Sequence, residues 1–169
     1  LKIIATVNPQ AENVDIQAAS RRKIPVIYAA AAASRSVAEF TLGVILTQCY
    51  NICAGADLIK KNRWKHPYIP HLHFNGNDLY KKTVGILGFG HVGKRVAYLL
   101  QNFGVRIIVH DLKIQQIAFP EIEVVSFEEL LKTSDIITLH THYPNVDKPL
   151  IGYEEFCTML KRPYLINTS

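Results

Sequence analysis

The run Thr83-Val84-Gly85-Ile86-Leu87-Gly88-Phe89-Gly90-His91-Val92-Gly93 constrains this chain more than any other. An apolar strand enters a glycine-rich turn, and a helix leaves it. Gly88, Gly90 and Gly93 make the G-x-G-x-x-G spacing, and each has a physical task. Gly88 permits the tight turn, Gly90 lets the backbone approach a pyrophosphate, and Gly93 allows close packing of helix on strand. The helix that follows offers unpaired N–H groups and the positive end of its dipole, so the amides of His91 and Val92 are the expected pyrophosphate donors.

The flanking residues supply the context such a motif needs. Val92, Val96, Leu99, Leu100 and Phe103 form a helical apolar stripe, and Gly104 provides a left-handed stop. A second strand over 105–110 leads into Asp111, about twenty residues past the glycines, where a carboxylate accepts hydrogen bonds from an adenosine ribose. A 2′-phosphate there would bring like charges to ~4 Å, a repulsion of roughly 1–4 kcal/mol. The cofactor read from these residues is therefore NAD rather than NADP.

Elsewhere strands and helices alternate: a strand over 2–7, a helix over 14–22 and a strand over 24–28 form a βαβ unit. The alanine run 29–33 leads from it, as a candidate hinge, into a long helix over 37–59 opened by a capping box of Ser36 and Glu39. After Asp111 come a strand over 123–125, a helix opened by a second capping box at Ser126, a strand over 135–140, a helix over 153–160 and a strand over 164–168. This alternation predicts an α/β fold with a doubly wound parallel sheet, a Rossmann architecture in 3-2-1-4-5 order. In it 83–88 is strand one, 164–168 is strand five, and a sixth strand is missing.

Composition narrows the function classes. The 169 residues are 49% hydrophobic and 20% charged, enough for one core and part of another. The formal charge of +5 is spread over short runs such as Arg21-Arg22-Lys23 and Lys81-Lys82 without interleaved stacking aromatics, which reads as solvated surface rather than a nucleic-acid footprint. Lys94 and Arg95 read as solvated helix residues too, with a reach outward to a phosphate as the alternative for Arg95. Glu39, Gln48, Asn51 and Asp57 interrupt the apolar stretch 37–59 and argue against a membrane span. Cys49, Cys53 and Cys157 have neither zinc nor disulfide spacing, and His66, His71 and His73, beside Tyr68, read as surface histidines rather than metal ligands. Reduced thiols and the lack of a secretory signal point to a cytoplasmic protein.

These motifs, in this order, resemble the D-isomer-specific 2-hydroxyacid dehydrogenases, in particular the phosphoglycerate dehydrogenase-like branch. Asn13-Val14-Asp15 is similar to a strand-to-helix turn of that family's substrate lobe, Val37-Ala38-Glu39-Phe40 to the start of its linking helix, and Trp64 to a tryptophan before the glycine motif. Leu139-His140-Thr141 resembles the loop beside the nicotinamide ribose, and Ile166-Asn167-Thr168-Ser169 the segment leading to a catalytic arginine.

The resemblance implies that residues 1–33 are the end of a flavodoxin-like substrate lobe and that 34–169 are the linking helix and a cofactor domain cut before its last strand. It adds His140, Thr141, Thr168 and Ser169 to the cofactor-binding set of Gly88, Gly90, His91, Val92, Gly93 and Asp111. It also implies hydride transfer between NAD(H) and a D-2-hydroxy acid or 2-keto acid, and a homodimer joined through the long helix. The family's arginine, glutamate and protonating histidine match no residue here, so no catalytic residue is assigned and the chain alone is expected to be inactive. The chain departs from the family pattern at residues 8–12, where Pro9 has no N–H to offer a carboxylate, in the alanines before Ser34, and at Asp147. A non-catalytic NAD-sensing or scaffold relative of the same fold is the alternative. A hydrolase of adenosylhomocysteine type is disfavoured by the closeness of the 37–40 helix start to the glycine motif.

Overall fold

A computed structural model describes residues 1–7, 11, 13–29, 31–64, 76–114, 119–141 and 149–169. The expectations resting on residues 8–10 and 12, on His66, Tyr68, His71 and His73, and on Asp147 lie outside the described residues. Strands β1 (Ile4–Thr6) and β2 (Val26–Tyr28) pair in parallel across helix α1 (Ile16–Arg21), the anticipated βαβ unit. Asp15 starts α1 by accepting the Ala18 N–H at 2.8 Å, the usual work of an N-cap carboxylate.

The main sheet contains β3 (Thr83–Leu87), β4 (Arg106–His110), β5 (Ile122–Val124), β6 (Ile136–Leu139) and β7 (Tyr164–Asn167), all parallel, in the order β5-β4-β3-β6-β7. This is the doubly wound order expected from the alternation of elements. Helix α4 (His91–Leu100) follows β3, α5 (Phe127–Thr133) follows β5 and α6 (Tyr153–Thr158) precedes β7.

Side-chain alternation along the strands builds two cores. Val84 and Ile86 of β3 and Ile107 and Val109 of β4 face α4 and the long helix α2 (Ser34–Cys49), packing with Ala38, Ile45, Val96 and Leu100. Leu87, Ile108 and Ile137 face the other way, against Leu130 and Leu131 of α5. A sheet buried on both faces requires apolar residues at successive positions, and β3 is buried throughout. The anticipated caps at Gly104, with φ +63°, and at Ser126, whose hydroxyl accepts the Glu129 N–H at 3.1 Å, are formed.

The long helix differs from expectation twice. It begins at Ser34, so Ser36 lies inside it and caps nothing. The preceding turn already runs into the helix, with the Ser34 N–H donating to Ala31 O and the Val37 N–H to Ala33 O, while Glu39 is engaged by Arg35 Nε at 2.9 Å. Second, it is two helices, α2 (Ser34–Cys49) and α3 (Ile52–Lys60), bent by 67°. Asn51 adopts the left-handed conformation (φ 52°), which asparagine tolerates better than most residues, and the axis turns there. No single described helix is long and apolar enough to cross a membrane.

Candidate dinucleotide-binding site

Register alone brings the expected site together. Leu87 is paired with His110 on one side and with Leu139 on the other, and Leu139 is paired with Asn167. Asp111, Gly88, His140 and Thr168 each follow one of these residues, so all four stand along one carboxyl edge. Three strand spacings separate β4 from β7, roughly 14 Å. Ligands of open parallel sheets bind at such an edge, where the chain turns to opposite faces on either side of the first strand.

The glycine turn is held by its surroundings. Gly88 has φ +89°, and a Cβ there would come within 2.5 Å of the His140 carbonyl oxygen and 2.8 Å of the Thr141 nitrogen. At Gly93 a Cβ would collide with the Gly88 carbonyl oxygen, which is why α4 can sit tightly on the end of β3. Around Gly90 the same construction meets nothing within 4 Å, so the turn is open on that side. Gly90 is the N-cap of α4 and no side chain caps this terminus. The first-turn amides of His91, Val92 and Gly93 therefore have neither intrahelical acceptors nor a side-chain substitute, and the helix presents them to an anion.

Two features of the turn escape a reading of the sequence. Phe89, between the first two glycines, is buried in the α2–α4 core and anchors the turn from beneath. Its N–H donates to Asp111 Oδ2 at 2.7 Å, while Asp111 Oδ1 accepts the Lys113 N–H at 2.8 Å. Asp111 thus fastens the turn to the end of β4. An ionised carboxylate has about four acceptor positions, so two remain for a ligand hydroxyl. The apolar residue within the G-x-G spacing was the signal for Phe89; the acid's second task left none.

His140 follows β6, its N–H donating to Leu87 O at 2.7 Å and its Nε2 2.9 Å from Thr138 Oγ1. Burial lowers its pKa to about 4, so the ring is neutral at pH 7 and has no imidazolium proton to give. Thr168 faces inward: its hydroxyl bonds to Thr41 of α2 at 2.8 Å. Ser169 curls back, with its N–H and hydroxyl both donating to Asn167 Oδ1, at 3.1 and 2.8 Å. His91, Lys94 and Arg95 are exposed. Among the described residues no group of three or more His, Cys, Asp or Glu could hold a metal ion.

Comparison with known proteins agrees with this geometry. The chain is 32% identical over its whole length to glyoxylate reductase of Thermofilum pendens, covering 50% of that protein. It is 33% identical over 99% of its length to D-3-phosphoglycerate dehydrogenase of Methanocaldococcus jannaschii, covering 32% of that one. D-lactate dehydrogenase from Aquifex aeolicus, in a crystal structure with NAD and lactic acid, superposes with a TM-score of 0.82 at 30% identity, over 100% of this chain and 50% of that one. The chain thus spans about half or less of the relatives it matches. Residues 42–169 match the family described as D-isomer specific 2-hydroxyacid dehydrogenase, NAD binding domain. With its five-stranded parallel sheet and the glycine turn at its carboxyl edge, the chain belongs to that family, as an NAD-binding domain.

Proposed function

We propose that this chain holds NAD(H) along the carboxyl edge of its main sheet, in a dehydrogenase that moves hydride between the dinucleotide and a small D-2-hydroxy acid or its 2-keto counterpart. One observation carries the reading: an uncapped ten-residue helix opens beside Gly90 onto free space, with Asp111 tied to the same turn. Amides without acceptors and room for backbone approach are what a pyrophosphate requires. In this reading Gly88, Gly90, His91, Val92 and Gly93 take the pyrophosphate through the backbone, and Asp111 takes the adenosine ribose with its remaining acceptor positions. His140 and Thr141 line the nicotinamide side, with Thr168 and Ser169 at the neighbouring strand end.

NADH supplies the hydride when bound. The residues of this chain orient it; His140, held neutral by burial, carries no imidazolium proton to donate. The glyoxylate, phosphoglycerate and lactate chemistry of the relatives supports a small 2-keto or 2-hydroxy acid as substrate class.

We further assign residues 1–33 to a substrate lobe and 34–169 to the cofactor domain. In support, Ala19 is the only described side chain buried between residues 1 and 33, whereas the continuous cores begin at Ala38. A homodimer is supported by the exposed apolar side chains of α2, α3 and their flanks, Phe40, Tyr50, Ile52, Ile59 and Trp64. A cytoplasmic setting is supported by three cysteines without a disulfide.

Calorimetric titration with NADH tests the site. Saturable heat is expected, with a stabilisation of about 2.7 kcal/mol at a hundred times the dissociation constant. The absence of both heat and a thermal shift at millimolar NADH would overturn the reading.

A further inference from the structure

A second cleft, of about 290 Å³, opens at the opposite edge of the main sheet. It lies where the chain enters β3, β6 and β7, with the end of α2 as one wall. Six residue steps, from Lys82 to Gly88, separate it from the glycine turn, roughly 20 Å. Its lining is charged, and the two signs differ in how they are used.

The acids are already engaged. Asp135 Oδ2 accepts the Thr83 N–H at 2.8 Å and Oδ1 faces Lys161 Nζ at 3.5 Å, while Asp78 Oδ1 accepts the Tyr50 hydroxyl at 3.3 Å. Two of the cations, Lys82 and Arg162, form no ion pair among the described residues. Lys82 is half-buried, and its ammonium partly offsets the upward push of burial on the Cys49 thiol, so its charge is felt inside the cleft. Arg162 adopts a left-handed conformation (φ 52°) that a glycine would hold without strain. Asn77 and Tyr164 add neutral hydrogen-bond donors to the wall.

We propose that this cleft is a second ligand site, binding the phosphate group of a small metabolite between Lys82 and Arg162, apart from the dinucleotide edge. Three cations against two acids leave one positive charge, and the unpaired cations are the ones a phosphate would engage. A guanidinium fork with a nearby ammonium suits phosphate oxygens. The size admits a small phosphate ester and excludes a dinucleotide, which needs the longer edge.

Inorganic phosphate, titrated into the 169-residue chain at constant ionic strength and followed by amide chemical shifts, tests the site. Saturable shifts at residues 77–83 and 161–164 are expected, weakened at least tenfold in the double variant K82Q/R162Q. Arg162→Gly separates ligand binding from structure, because it relieves the left-handed strain. It should raise the melting temperature while weakening phosphate binding. Shifts confined to residues 88–93, unchanged affinity in either variant, or tighter binding of acetate than of phosphate overturns the proposal. The 88–93 amides also report binding at the dinucleotide edge, so failure there and failure here are read separately.

Discussion

The Thr168 hydroxyl donates to Thr41 Oγ1 at 2.8 Å, joining the end of β7 to the middle of α2 across 127 positions of sequence. The direction follows from proton count: Thr41 has one hydroxyl proton and gives it to Val37 O at 2.7 Å, so it can only accept from Thr168. The bond ties the helix that crosses the cofactor domain to the strand end beside the proposed nicotinamide position.

Thr41 is fully buried, so its isosteric replacement isolates the hydroxyl. Thr41→Val should cost about 1–2 kcal/mol, read from the urea midpoint, because the Thr168 hydroxyl loses its acceptor. Thr41→Ser should retain most of the stability. Equal midpoints for Val and wild type would show that the bond contributes nothing.

Asp111 has a structural and a recognition task, and two substitutions separate them. Asp111→Ala removes the acceptor of the Phe89 and Lys113 N–H groups and should destabilise by about 1–3 kcal/mol. Asp111→Asn keeps one acceptor oxygen and loses the charge. The ratio of NADP to NAD dissociation constants should fall in both variants. A ratio unchanged in Asp111→Asn would mean that the charge does not face the ribose.

His140 makes stability depend on pH in a defined window. Its pKa is 6.5 in a model peptide and about 4 in the fold, so the unfolded chain binds more protons between those values. Its contribution is complete above pH 6.5, is lost as pH falls and is gone below about 4, a loss on the order of 3 kcal/mol. Chemical denaturation at pH 7 and pH 4 should show a smaller drop for His140→Gln than for wild type. Carboxylates contribute equally to both proteins, so parallel drops would show that the ring is solvated.

Sedimentation at micromolar concentration tests the proposed homodimer. Phe40 is 65% exposed and Ile59 63% exposed, and Phe40→Asp with Ile59→Asp should yield a monomer while leaving the circular dichroism unchanged. A wild-type chain that sediments as a monomer rejects the assignment.

Catalysis by this chain alone should be undetectable. NADH absorbance is followed with glyoxylate, hydroxypyruvate, pyruvate and 3-phosphohydroxypyruvate. Loss of acid–base help typically costs about 10²–10⁴-fold in rate. Robust turnover would show that the chain supplies its own acid, with His140 the first residue to replace; His142, the other nearby histidine, lies outside the described residues.

The glycine turn and two of the caps were legible because their backbone requirements are local: the positive φ of Gly88 and Gly104, the contact of Gly93 with Gly88 and the Ser126 cap all arise within a few residues. The carboxyl-edge alignment of Asp111, His140 and Thr168 followed from strand alternation once the order was known. What was illegible depends on partners distant in sequence or on competition. The Thr41–Thr168 bond has no local signature, and Asp111 gives no hint that Phe89 is its partner. The box expected at Ser36 lost because Arg35 took Glu39 and the alanine turn had already begun the helix. Asn51 broke a stretch that read as one helix, because a single left-handed residue leaves no periodic signature.

Among its described residues the βαβ unit of β1, α1 and β2 buries one small side chain, Ala19, and the end of α1 with its connection to β2 carries Arg21, Arg22 and Lys23, all exposed. A segment with so little interior opens at far lower free energy than a sheet packed on both faces. Trypsin would therefore find three adjacent cleavage positions in the part of the molecule whose loss disturbs the rest least. The first nick would fall there, and β3 to β7 would survive it as a resistant core.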